Sequence, residues 1–144
     1  MANDSDLWQY MCWLVQVPLS LNDLTNLFKA LSDTTRLRVV NLLRRQSLSV
    51  GDLQVVLGLP QPAVSQQLAI LRAAKLVRAT RQGHRICYSL ARAPILTYPL
   101  GRFLSEVAPF FPELAVDAKK LVDFKGDNTC CSPQNEELAR SGQV

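Results

Sequence analysis

Acidic side chains are absent from the middle of this 144-residue chain: no aspartate or glutamate occurs between Asp52 and Glu106. Arg72, Lys75, Arg78, Arg81, Arg85, Arg92 and Arg102 occupy the same interval, while Asp4, Asp6, Asp23, Asp33, Glu113, Asp117, Asp123 and Asp127 keep to the flanks. The formal net charge of +4 is modest, so the distribution carries the information. A basic middle with no carboxylate to repel an anion is the footprint of a polyanion-binding face.

Other absences narrow the class. The most apolar stretch, LWQYMCWLVQVPL, is too short to cross a bilayer. It also fails as a secretory signal, because Asp4 and Asp6 stand where positive charge is needed and no small-residue cleavage site follows. The expectation is a cytoplasmic protein with no membrane partner, whose four cysteines are reduced thiols. Cys-x-x-Cys is missing, and the single histidine, His84, has only Cys87 within local reach, which argues against a thiol enzyme. Nothing indicates a nucleotide or haem site. Neither repeats, low-complexity runs nor a long linker divides the chain. With 48% hydrophobic and 19% charged residues it has the material for one domain around one core.

The pattern that is present is mainly helical. Leu7, Trp8, Met11, Leu14 and Val15 recur at helical spacing over residues 6–17, before Pro18. Ser20 and Asp23 form a capping-box pair ahead of an apolar stripe of Leu24, Leu27, Phe28 and Leu31. Ser32 and Asp33 offer a fresh cap to a helix carrying Leu37, Val39, Val40, Leu42 and Leu43. Ser49 and Asp52 repeat the capping-box spacing and open a short helix closed by Gly58. Gln61 is placed to cap the next helix with Pro62 at its first position, and Val64, Leu68 and Leu71 line one face to about Lys75. Two short helices about a glycine turn read as a helix-turn-helix over about 49–75.

The period then changes. LVRAT and RICYSL alternate around the turn residues Arg81 to His84 and predict a β-hairpin over about 76–90. Pro94 and Pro99 predict irregular chain before one closing helix through Leu104, Val107, Leu114, Ala118, Leu121 and Val122. The expected architecture is therefore mainly α with a small β-hairpin wing: a winged helix-turn-helix. Residues 1–124 form its domain and 125–144 a flexible tail.

Each part of that architecture has a job on double-stranded DNA. The second helix of the motif fits the major groove, about 12 Å wide, with its amino-terminal residues against base edges. Those residues are Gln61, Ala63, Ser65, Gln66 and Gln67; Gln suits adenine, Ser either base type and Ala a thymine methyl. Arg72, Arg78, Arg81, His84 and Arg85 are candidates for phosphate or minor-groove contacts.

The runs LFKALSDTTRLRVVNLL and LSVGDLQVVLGLPQPAVSQQLAILRAAKLVRATRQGHRICYSL resemble the ArsR–SmtB family of metalloregulatory repressors. The likeness covers roughly residues 20–92. It implies a homodimer with its first and last helices at the interface, an inverted-repeat operator, and an inducer that releases the DNA. Arsenic sensors of the founding type carry ELCVCDL where this chain has Leu48 to Leu53, so Ser49 and Gly51 replace both cysteines. Zinc sensors of the family use histidine on the closing helix, and this chain has none there.

Four thiols remain. Cys87 on the wing strand reads as a small structural residue. Cys130 and Cys131 lie in NTCCSP, where nothing offers packing, and neighbours about 3.8 Å apart at Cα sit below the usual disulfide range. Two adjacent thiolates suit a soft ion. The expected inducer is As(III) or Sb(III), held by Cys130 and Cys131 with Cys12 as the third thiolate, in line with the relocated cysteine sites of arsenic-responsive relatives. A redox or persulfide sensor, a soft divalent metal sensor, and a winged-helix interaction module without an inducer stay open as alternatives.

Overall fold

A computed structural model of the chain describes residues 20–91 and 94–124. The expected helix over residues 6–17, Arg92, and the three cysteines at positions 12, 130 and 131 lie outside the described residues. Ser20 caps the first described helix, α1 (Leu21–Leu31): its hydroxyl accepts from the Asp23 amide, and the Asp23 carboxylate accepts from the Ser20 N–H at 2.8 Å. The Ser20 N–H foremost, and then the Ser20 hydroxyl, which donates to the same carboxylate oxygen at 3.0 Å, hold the Asp23 carboxyl below the usual carboxylate range. The cap's contribution is thus present above that range and is lost as pH falls through the lowered pKa. Only Leu27 and Ala30 of α1 are buried, while Leu21 and Phe28 remain exposed. The apolar stripe expected on this helix is therefore split between the core and the surface.

Asp33 opens α2 (Thr34–Leu43) by accepting from the Arg36 amide at 3.1 Å. A two-residue strand, β1 (Leu48–Ser49), leads into α3 (Val50–Leu57), whose N-cap Ser49 and Asp52 make the expected capping box. Then come α4 (Gln61–Ala73), β2 (Val77–Gln82) and β3 (Arg85–Leu90). The expected hairpin is present, and β1 pairs with β3 to make an antiparallel sheet in the order β1-β3-β2. Two residues are too few to show a period of two, so this third strand has no sequence pattern of its own.

The carboxy-terminal part departs from expectation. Pro94 to Pro99 is not irregular: α5 (Pro94–Val107) runs straight through Pro99. Pro94 sits at the first helical position, where a missing N–H costs nothing, and Pro99 removes a single intrahelical bond. Leu100, Leu104 and Val107 pack against the core and offset that loss. Nor is the closing segment one helix. It breaks at a 3₁₀ turn, Ala108–Phe110, containing Pro109, and restarts with Pro112 as α6 (Pro112–Asp123).

One apolar cluster joins these elements. Val64, Leu68 and Leu71 of α4 are fully buried in it with Val39, Val40 and Leu42 of α2 and Leu53 of α3. Each such leucine contributes about 2 kcal/mol through burial. On α6 the buried stripe is Leu114, Asp117 and Leu121, so a carboxylate with 1% exposure stands among leucines. Arg38 of α2 makes this possible: Nε and Nη2 donate to the two Asp117 oxygens at 2.7 and 2.8 Å. The hydrogen-bonded carboxylate raises the Arg38 guanidinium pKa above its ordinary value. Arg38→Met is expected to cost about 3 kcal/mol in urea unfolding, because it leaves the Asp117 charge buried without its partner. Adding Asp117→Leu should recover most of that loss; additive losses in the double variant would contradict the coupling.

Candidate nucleic-acid interface

The turn between α3 and α4 is set by Gly58 and Pro60. Gly58 closes α3 in the left-handed conformation, φ 67°, which favours glycine, and its amide donates to Gln54 at 2.8 Å. Pro60, extended at φ −70° and ψ 153°, is the N-cap of α4. Gln61 is thus the first helical residue rather than the cap, Pro62 the second, and no side chain caps the helix. With its amino terminus uncapped and its far side anchored by Val64, Leu68 and Leu71, α4 presents a fixed outer face.

That face carries most of the expected readers. Gln61, Ser65 and Gln66 are exposed, and Arg72 follows on the same side, seven residues after Ser65. Ala63 and Gln67 are half-buried on the flank toward α2. Gln67 is held there: its Oε1 accepts from Arg36 Nη1 at 3.0 Å, while Arg36 Nε donates to the Ala30 carbonyl. Arg36, 31 residues away in sequence, therefore holds Gln67 on this flank, and no local pattern announces it. Ala69 is exposed on the line from Gln61 through Ser65 to Arg72, and helical spacing alone would have found it.

The wing supplies the second part. Gln82 and Arg85 form the last cross-strand pair, leaving Gly83-His84 as a two-residue turn narrower than the Arg81–His84 expectation. Gly83 takes φ 62° at the first turn position, as a type II′ hairpin requires. Arg78, Arg81, His84 and Arg85 are all exposed. Arg78 Nε donates to Ser89 Oγ at 3.3 Å, and Arg81 Nε to the Gly83 carbonyl at 3.2 Å, so both cations are braced on the hairpin. Neither α4, β2 nor β3 contains an acid. The arrangement is a helix offering amide and hydroxyl groups beside a ribbon of guanidinium groups, which can grip phosphates and meet base edges together.

The sulfur and metal expectations fare differently. Among the described residues no group of three or more His, Cys, Asp or Glu side chains converges to hold a metal ion. Ser49, which replaces a founding-type cysteine, accepts with its hydroxyl from the Asp52 amide and is among the residues that line a cleft of about 590 Å³ between α3 and the wing. Cys87 is the sole cysteine among the described residues; it is 3% exposed and disulfide-bonded. The expectation of a reduced thiol does not hold there, while its burial agrees with the structural role read from the sequence.

Comparison with known proteins places this arrangement. Residues 33–79 match the model of the family described as bacterial regulatory protein, arsR family. A transcriptional repressor SmtB homolog from Synechocystis sp. is 47% identical over 64 residues, 44% of this chain and 48% of that relative. Transcriptional repressor SdpR of Bacillus subtilis is 36% identical over 67 residues, 46% of this chain and 74% of that relative. The solution structure of a homodimeric winged helix-turn-helix DNA-binding domain from Mycobacterium bovis, described as a possible ArsR-family regulator, matches with a TM-score of 0.55. It is 27% identical, with 62% of this chain and 81% of that one covered. The chain spans about half the length of the SmtB homolog.

The turn geometry yields a direct check on the wing. Gly83→Ala is expected to destabilise the protein by about 1 kcal/mol, since alanine pays for a left-handed φ. Thermal unfolding measures the change, and an unaltered or raised midpoint would contradict the turn assignment.

Proposed function

The chain belongs to the arsR family of bacterial regulatory proteins, and we propose that it is a homodimeric transcriptional repressor that leaves its operator when a thiophilic inducer binds. The observation that carries the reading is the acid-free surface shared by α4 and the wing. Gln61, Ser65 and Gln66 read bases in the major groove, while Arg78, Arg81, His84 and Arg85 hold the backbone. Two copies related by a twofold axis place their α4 helices in successive major grooves of an inverted repeat. Exposed Leu21 and Phe28 of α1, Phe103 of α5, and Phe110, Phe111 and Val122 near α6 supply apolar surface that a second copy would cover. The homodimeric Mycobacterium bovis domain supports the same assembly by analogy.

For the inducer, the vicinal Cys130 and Cys131 remain the chain's best soft-ligand pair, with Cys12 the third thiolate named by sequence. Trivalent arsenic or antimony is the ion class that such a set fits. A second reading, a thiol redox sensor, has one observation in its favour: Cys87 is disulfide-bonded.

On a duplex carrying the selected operator, the logarithm of the binding constant should fall linearly with the logarithm of salt concentration. Arg78→Ala should shrink that slope by about 0.9, the value for one phosphate contact. Gln66→Ala should cost about 1–3 kcal/mol on the operator and nothing on unrelated DNA. Fluorescence anisotropy measures both; equal losses on both DNAs for Gln66→Ala would refute base reading. Arsenite added to the fully reduced protein should release the operator, and Cys130→Ser should abolish release. An oxidant that releases the operator where arsenite does not would favour the redox reading.

A further inference from the structure

Gln66 and Gln67 stand side by side on α4, yet the fold treats them differently. Gln66 is exposed, so its amide turns freely and offers a donor and an acceptor together, the pair that adenine N6 and N7 take. Gln67 is half-buried, and its Oε1 accepts from Arg36 Nη1 at 3.0 Å. A guanidinium carries donors and no acceptor, so the end of the amide that faces it is the oxygen. Arg36 is itself held, because its Nε donates to the Ala30 carbonyl in the last turn of α1 and its backbone amide donates to Asp33 at 3.1 Å. One guanidinium thus ties the end of α1 to α4, and the tie orients the Gln67 amide.

The nitrogen end of that amide is left over. Among the described residues, the buried side-chain polar atoms without a partner are Asn41 Nδ2 and Gln82 Oε1. Gln67 Nε2 is not one of them and no described residue accepts from it, so it reaches solvent with two N–H donors. It does so within the first two turns of α4, directly after Ser65 and Gln66. Resting on the reading that this half of α4 meets base edges, we infer that Arg36 fixes Gln67 as a one-way donor, so that Gln67 selects guanine while its free neighbour Gln66 selects adenine.

The selection follows from the pattern of groups in the major groove. Adenine shows an N7 acceptor beside an N6 amino donor, and a bidentate contact needs the glutamine oxygen and nitrogen turned to the base together. With its oxygen held toward α2, Gln67 meets N7 with an N–H but sets a second donor against the amino group. Guanine N7 and O6 are both acceptors, and they suit a group that only donates. Arg36 is then a positioning residue: it touches no base and sets which base its partner reads. Two glutamines next to each other in the sequence carry different codes because one of them is clamped by a residue of another helix.

The test uses the full chain and a duplex that it selects from a random pool, with every base pair of one half-site then replaced in turn and affinities read by fluorescence anisotropy. Gln67→Ala should flatten the preference at one base pair, where wild type favours guanine by about fivefold or more. Gln67→Glu keeps an acceptor for Arg36, so its thermal midpoint should match or exceed wild type, yet its preference at that pair should move from guanine to cytosine, whose N4 amino group donates. The added negative charge weakens binding to all duplexes alike, so the ratio between duplexes is the readout. Arg36→Met should lower the guanine preference there and raise that for adenine; if this variant does not fold, Gln67→Glu decides alone. A wild-type preference for adenine at that pair, no pair flattened by Gln67→Ala, guanine still favoured by Gln67→Glu, or an unchanged base profile in folded Arg36→Met would overturn the assignment. A wild-type chain that selects no duplex at all would instead sink the DNA-binding reading itself.

Discussion

Everything that this molecule can do at a DNA surface depends on how α4 is anchored. Val64, Leu68 and Leu71 are fully buried and meet leucines and valines of α2 and α3. Burying three such side chains fixes the helix about its own axis, since any rotation would bring an apolar side chain into water at about 2 kcal/mol each. The opposite face is thereby committed outward, with Gln61, Ser65 and Arg72 on it. Arg36 refines the setting by holding Gln67 to the flank, and the Arg38–Asp117 pair locks α2 against α6. The base readout proposed for this face would need side chains held to a fraction of a groove's width, and the core supplies that rigidity.

The wing is built on different physics. A hairpin alone is marginal in water, but here β3 is sandwiched between β2 and the short β1, and Leu48, Val77 and Leu76 join the core. Guanidinium groups then project from a supported ribbon instead of a loose loop. The strand that carries the exposed Arg85 also carries the buried, disulfide-bonded Cys87, so one supported sheet holds both.

Much of this was legible in the order of residues. Both capping boxes, the glycine stop at Gly58 and the alternating wing follow from local rules that need only a few neighbours, and they appear where those rules put them. Several of the departures trace to tertiary packing. Proline rules predicted irregular chain at Pro99, yet the apolar side chains that follow it hold a helix together at the loss of one hydrogen bond. The two-residue β1 exists because β3 offers it a ladder, a long-range fact. Phe28 matches a buried stripe by spacing but is exposed, since spacing alone does not say how wide the buried face is. Among the candidate site residues, those on α4 and the wing cations were visible as an acid-free run, whereas the Arg36–Gln67 bond and the bonded sulfur of Cys87 depend on contacts across the fold.

The central claim is that a single surface, the outer face of α4 together with the hairpin tip, meets DNA. Backbone amide chemical shifts recorded while double-stranded DNA is titrated into the protein test it most directly. The account predicts that the largest changes fall at residues 61–66 and 81–85, with little change along α6. Changes concentrated on α6 and around Phe110, with residues 61–66 unmoved, would contradict it.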